Sequence, residues 1–237
     1  MLPIIATPKY EMIVPSTGES ITYRPYVVKE EKILLIALET QDDIQIEKSV
    51  TDIIKQCVES PLNINDLTTF DIEMIFITLR SKSVGEGVKL IMKCEEETCD
   101  GSEDVFLELD KITISNLEES KENKSIKIND DISIDMRWLK TNDRLNQAQR
   151  KTGTDTIINS AAKCIETIYS GEETFATKDA PHKEVVAFVE SLNTDQFAKI
   201  LEFMQESPAL SYDLSYKCKT CGHKNERELR GLSDFFI

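Results

Sequence analysis

The chain is short of the residues that most enzymes spend on chemistry. Its 237 positions include two histidines, one tryptophan and eight glycines. With His182 and His223 as the only imidazoles, a Ser-His-Asp triad or a histidine-rich catalytic zinc centre has little to be built from. The glycines do not form a phosphate cradle. Gly85-Glu86-Gly87 is a G-x-G without its third glycine and leads into a strand, and Lys151-Thr152-Gly153 reverses the order that a phosphate-binding loop needs. There is no G-x-S-x-G elbow and no H-E-x-x-H helix. No apolar run approaches the roughly 20 residues that span a bilayer. The opening Met1-Leu2-Pro3-Ile4-Ile5-Ala6 lacks the basic segment and longer apolar stretch of a signal peptide. Basic charge is scarce as well: 28 Lys and Arg face 43 Asp and Glu, for a net charge of −15 and no basic run. Affinity for a phosphate backbone comes from clustered Lys and Arg. The expectation is therefore a non-enzymatic cytosolic protein that binds other proteins, not nucleic acid, membrane or a small-molecule substrate.

Cysteine is present, and it is patterned. Four of the six cysteines form two short pairs, Cys94-Glu-Glu-Glu-Thr-Cys99 and Cys218-Lys-Thr-Cys221-Gly222-His223, each between stretches that read as strands. In a reducing compartment such pairs are thiols or metal ligands before they are disulfides. Two turns of this kind, face to face, make a cage of four thiolates for Zn²⁺. That shell is closed and structural, since a catalytic zinc keeps a position open for water. The module resembles a zinc ribbon, but 118 residues lie between Cys99 and Cys218, where compact ribbons have roughly 15–20. The alternative is that these are ordinary reduced cysteines in turns, or that the two pairs never meet. His223, beside the knuckle, reads as exposed and not a ligand. Cys57 and Cys164 sit on apolar helix faces and read as small buried hydrophobes.

The organisation expected is α+β: a helical core, β-hairpins forming the ribbon-like module, and a helical insertion. Residues 1–27 hold four of the seven prolines and read as an extended arm with one hairpin at Pro15-Ser16-Thr17-Gly18. Such an arm has no core of its own and must lie across the protein or a partner. Tyr23, Arg24 and Tyr26 are its candidate anchors, for a partner or for its own helices. Residues 28–82 read as three helices. In the first, Ile33-Leu34-Leu35-Ile36-Ala37-Leu38 is apolar all round and predicts a central position, while Lys29-Glu30-Glu31-Lys32 reads as a solvated first turn. The second carries Val50, Ile53, Ile54, Cys57 and Val58 at amphipathic spacing, and Asp66 is the expected cap of the third, from Leu67 to about Arg80. Residues 83–140 are β-rich and hold the first cysteine pair, with a hairpin around Asn129-Asp130-Asp131. Residues 141–207 read as helical, including one long helix marked by Ile157, Ile158, Ala161, Ala162, Ile165, Ile168 and Tyr169. Residues 208–237 form the second knuckle hairpin.

The N-terminal segments also carry a resemblance. Leu2-Pro3, Pro8-Lys9-Tyr10, Pro15-Ser16-Thr17-Gly18, Tyr23-Arg24-Pro25-Tyr26 and Val28 through Glu39 are similar to the opening of the baseplate proteins of T-even-like contractile-tailed phages. That resemblance implies a hub component or hub assembly factor, with other baseplate hub and tail proteins as partners and no enzymatic activity. It places the protein in the host cytoplasm during assembly and in the tail baseplate if it is retained. A second reading comes from Lys217, Lys219, His223, Lys224, Arg227 and Arg230 around the second knuckle. These suggest a zinc-ribbon adaptor regulating a nucleic-acid-processing complex, if they form one basic face.

Overall fold

A computed structural model describes residues 5–122, 124–143 and 153–235. Leu2, Pro3, residues 144–152 and the terminal Phe236-Ile237 lie outside the described residues, and with them part of the helix expected after Thr141. The chain folds into two compact units, one from residues up to 64, 70–115 and 209 onward, the other from 65–69 and 116–208.

The first unit begins with the arm. Strands β1 (Tyr10–Ile13) and β2 (Ser20–Tyr23) pair antiparallel from Tyr10↔Tyr23 to Ile13↔Ser20. The turn between them closes with 2.8 Å bonds from Val14 N to Glu19 O and from Gly18 N to Val14 O. Gly18 sits at φ +75°, where a side chain would be strained. Ile21 and Tyr23, alternating as the sequence predicts, are each 2% exposed. The turn is fastened to the body of the unit at Asp71, whose buried carboxylate accepts from Ser16 N at 2.9 Å and Ser16 Oγ at 2.6 Å.

Three helices follow, α1 (Val28–Thr40), α2 (Asp43–Cys57) and α3 (Thr69–Ser83). Helix α2 matches its expected pattern. Asp42 caps it by accepting from Ile44 N and Gln45 N, and Val50, Ile53, Ile54 and Cys57 are buried. The central helix is α3, not α1: Phe70, Ile72, Ile75, Phe76, Ile77 and Leu79 are all buried. In α1 only Glu30, Leu34 and Ala37 face the core, one stripe at i, i+4, i+7, while Ile33, Leu35 and Ile36 are exposed. An apolar run without polar punctuation does not by itself say how many sides of a helix are covered. Asp66 ends a 3₁₀ turn, Ile64–Asp66, and α3 starts at Thr69, two residues later than expected. Strands β3 (Gly87–Lys93) and β4 (Ser102–Glu108) then make a hairpin in unbroken register, and β5 (Thr113–Ser115) follows a short 3₁₀ turn.

The second unit is α+β in its own right, which corrects the expectation of a helical insertion. It contains α4 (Leu117–Glu122), β6 (Ser125–Lys127), β7 (Ile132–Met136), α5 (Thr154–Cys164), β8 (Ile165–Ser170), β9 (Glu173–Ala176), α6 (His182–Glu190) and α7 (Thr194–Gln205). The strands form one antiparallel sheet in the order β6-β7-β8-β9. Its first turn is held by Asn129, whose side-chain oxygen accepts from Asp131 N and Ile132 N. The long helix expected through Tyr169 ends at Cys164 instead. From Ile165 the chain reads Ile-Glu-Thr-Ile-Tyr, dense in β-branched residues, which crowd a helix and suit a pleated strand between β7 and β9. Ile134, Met136, Ile165, Val185, Ile200 and Phe203 fill the core behind it.

The chain returns to the first unit as β10 (Ala209–Lys217) and β11 (Lys224–Arg230), giving a three-stranded sheet β11-β10-β5. Phe235, in the apolar terminal segment, is fully buried.

The charged opening of α1 departs most from its expected role. Glu30 is fully buried. Its carboxylate accepts from Arg24 Nη2 at 2.8 Å and Val27 N at 2.9 Å, with Lys29 Nζ at 3.2 Å. Arg24 also donates to the carbonyls of Pro25 and Gln56. Tyr26 stacks on Phe76 with ring centres 6.5 Å apart, and Tyr23 is buried. The arm's candidate anchors therefore serve its own helices. Burial by itself raises the Glu30 carboxyl, but the bonds from Arg24, Val27 N–H and Lys29 outweigh it and hold the group below its usual range. Because the folded-state value lies below the unfolded one, the pair's full contribution is present above the ordinary carboxylate range and is lost as pH falls through the lowered value. Arg24→Ala is expected to cost about 3 kcal/mol in urea denaturation at neutral pH, since it strands a buried carboxylate. Glu30→Gln is expected to flatten the acid limb of the stability profile, and an unchanged limb would refute the assignment.

Candidate metal centre

Both cysteine pairs sit at hairpin tips of the first unit. Cys94 directly follows β3 and Cys99 precedes β4; Cys218 directly follows β10 and Cys221 precedes β11. Each tip is a tight backbone turn. Cys94 N donates to Gly101 O at 2.8 Å and Cys99 N to Glu96 O at 2.9 Å, while Cys218 N donates to His223 O and Gly222 N to Cys218 O, both at 2.9 Å. Gly222 takes φ +79°, the left-handed position that lets the second turn close. The structure brings the two tips together. Cys94 Sγ lies 3.6 Å from Cys221 Sγ, Cys99 Sγ lies 3.8 Å from Cys218 Sγ, and the four sulfurs all fall within 4.8 Å of one another. A tetrahedral thiolate site with metal–sulfur bonds near 2.3 Å has sulfur–sulfur edges of about 3.8 Å. The spacing thus fits one small ion of the zinc class.

Three further residues fix how the tips meet. A Cβ on Gly101 would stand 2.8 Å from Thr220 Oγ1 and 2.9 Å from Cys218 Sγ, so the close approach of the tips needs a glycine there. Asn225 is fully buried and bridges them: its Oδ1 accepts from Glu95 N at 2.8 Å and its Nδ2 donates to His223 O at 3.3 Å. Glu103 is 7% exposed and holds Lys219, accepting from its backbone N and pairing with its Nζ at 2.8 Å. None of the three stands out in the sequence. A glycine two residues past a cysteine pair was the one available signal, and a polar asparagine in a strand was the other.

Electrostatics single out one thiol. The N–H groups of Cys221 and Thr220 hydrogen-bond to Cys218 and, against the cost of burial, bring its thiol down to about 6. At Cys99 the Gly101 N–H favours the thiolate, but the neighbouring thiols and burial outweigh it and push the group up to about 12. Cys94 is likewise raised, although the Glu96 N–H opposes the shift. These opposed shifts favour the thiolate at Cys218 and the protonated thiol at Cys99 and Cys94.

The remaining candidates stay outside the cluster. His223 Nδ1 faces Glu96 Oε2 at 3.5 Å. Cys57 and Cys164 are buried in their cores, and burial pushes their thiols up to about 11 and about 12, which makes them inert. The basic residues near the second knuckle do not form one face of free positive charge: Lys219 pairs with Glu103 and Lys224 with Glu226. Glu95, Glu96 and Glu97 keep the adjacent tip acidic. His182 is exposed at the start of α6 and lies 3.0 Å from Asn159 Oδ1. No helix of the described residues is long and apolar enough to cross a membrane.

The profile of the family described as "T4 bacteriophage base plate protein" matches residues 7–237. The chain is also similar to the "Baseplate hub assembly protein gp26" of Enterobacteria phage T4, with 26% identity over 229 residues, covering 96% of this chain and 98% of that protein. No solved structure matches it.

The geometry of the tips is directly testable. Gly101→Ala is expected to lower stability by about 1–3 kcal/mol, the cost of forcing a methyl into a packed contact, and to speed reaction of the cysteines with a thiol reagent. Asn225→Ala, which strands Glu95 N, is expected to act in the same direction by a similar amount. Wild-type thiol reactivity in both variants would mean that the tips do not hold each other.

Proposed function

The chain belongs to the T4 bacteriophage base plate protein family, and from that membership we propose that it acts in assembly of the baseplate hub, through contacts with other tail proteins and without catalysis. The observation that carries this reading is the likeness to the phage T4 hub assembly protein from one end of each chain to the other. The composition agrees with it. A protein of net charge −15 with two histidines is poorly equipped for acid–base catalysis or for gripping nucleic acid, and well suited to meeting proteins in solution. Assembly takes place in the host cytoplasm, before the tail is complete.

In this reading Cys94, Cys99, Cys218 and Cys221 hold one structural Zn²⁺ as a ribbon-like clasp. The support is the fit of the sulfur spacing to a tetrahedral thiolate shell. When bound, the ion supplies cross-linking between the two hairpin tips.

Two measurements test the proposal. Purified protein is expected to carry about one zinc per chain by elemental analysis, and Cys218→Ser is expected to lose both the metal and thermal stability; a metal-free wild type of equal stability refutes the clasp. For the assembly role, the tagged chain is expected to co-purify with baseplate hub proteins from infected cells. Its absence from every hub intermediate refutes the role. Its presence in or removal from mature tails then separates a retained subunit from an assembly factor.

A further inference from the structure

The second unit carries a groove that neither the family nor the cysteine clasp accounts for. It has a volume of about 300 Å³ and lies where α6 covers one face of the sheet, walled by Ile132, Ile168, Phe175, Val185 and Phe188, with Glu184 as its one charged lining residue. Ile168 and Phe175 are register partners on β8 and β9, so the groove opens along β9. That strand is the outer edge of the sheet. Natural edge strands are commonly blunted by lysine or proline. Here the edge reads Glu-Thr-Phe-Ala, and Phe175 is 50% exposed. The surroundings are acidic: between Glu166 and Glu190, six exposed acids face Lys178 and Lys183.

We propose that the β9 edge and its groove form a docking site for an extended protein segment that carries an apolar side chain and, two residues away on the same face, basic ones. The segment adds a strand to β9, places its apolar side chain between Phe175 and Phe188, and sets the basic side chains of that same face toward Glu184 and toward Glu173, which shares the face of Phe175 two residues away. Backbone pairing at a sheet edge supplies affinity, and the pocket beside it supplies selection. Charge favours this occupant over a second copy of the chain, because two surfaces of the same acidic sign repel. The proposal rests on the protein-contact reading above and names one such surface. Its test uses no hub protein, so its failure leaves the co-purification result untouched.

The probe is a fluorescent hexapeptide, Lys-Thr-Ile-Thr-Lys-Thr, whose Lys and Ile side chains share one strand face, titrated with the full chain and read by anisotropy beside its acidic counterpart Glu-Thr-Ile-Thr-Glu-Thr. The basic peptide is expected to bind at least about tenfold more tightly than the acidic one, since each tenfold step needs only about 1.4 kcal/mol. Phe175→Glu and Phe175→Ser decide between docking and diffuse attraction, with thermal melting as the check that both fold. Insertion at Phe175 predicts at least about tenfold weaker binding in both. Attraction to net charge alone predicts unchanged binding in the serine variant and equal or tighter binding in the glutamate variant, which adds a negative charge. That second pattern, or equal affinity for the two peptides, overturns the proposal.

Discussion

The first unit depends on the meeting of two turns that the sequence holds 118 residues apart. Joining distant points of a chain costs conformational entropy, although the cost rises only logarithmically, by about 0.6 kcal/mol per doubling of length. The fold reduces even that. Ser115 on β5 and Ala209 on β10 are register partners, so the whole insertion leaves and re-enters the first unit at one backbone pairing. Ser115 lies sixteen residues past Cys99, and Ala209 nine residues before Cys218. With that neck closed, the path between the cysteine pairs is close to that of a compact ribbon. The thiols therefore sit on hairpins that backbone pairing has already aligned, and a unit with its own sheet and core fits between them without lengthening the effective loop.

Buried polar groups decide the register of these contacts. Apolar surfaces attract without direction, so they do not distinguish one alignment of two segments from the next. A buried carboxylate or amide does, because misalignment leaves it unpaired at a cost of about 1–3 kcal/mol or more. Asp71 fixes the arm's turn through Ser16, Glu30 fixes the arm's exit through Arg24, and Asn225 and Glu103 fix the two knuckle tips. Apart from the Arg24–Glu30 pair, each joins residues far apart in sequence. Losing one member disturbs a long-range alignment as well as a single bond.

What could be read from the residues alone follows the same division. Features set by local chemistry were legible: the Gly18 turn, the amphipathic α2, the Asn129 hairpin and the two cysteine turns all depend on neighbours within a few positions. Features set by a distant surface were not. The six-residue apolar run of α1 does not state that only one of its stripes meets a core, and, although Glu30's partners Arg24 and the Val27 N–H are local, the charged opening of α1 does not state that Glu30 is buried. The change from helix to strand at Ile165 was misread because Ile165, Ile168 and Tyr169 continue the helical spacing of α5; the β-branched density of that stretch pointed the other way, and pairing with β7 decided it. Within the candidate site the four cysteines were visible from spacing, whereas Gly101 and Asn225 acquire their roles only once the tips touch.

Charge bears on how the protein meets other surfaces. A surface with a net charge of −15 repels its own copies and steers encounters toward surfaces of opposite sign, an effect on rate and partner choice more than on final affinity. Affinity must then come from apolar area that the fold leaves uncovered. The two requirements meet on the second unit, where an exposed aromatic at a sheet edge stands among acids. The knuckle region shows the reverse arrangement. Two of its lysines, Lys219 and Lys224, pair with Glu103 and Glu226, and its sulfurs face one another.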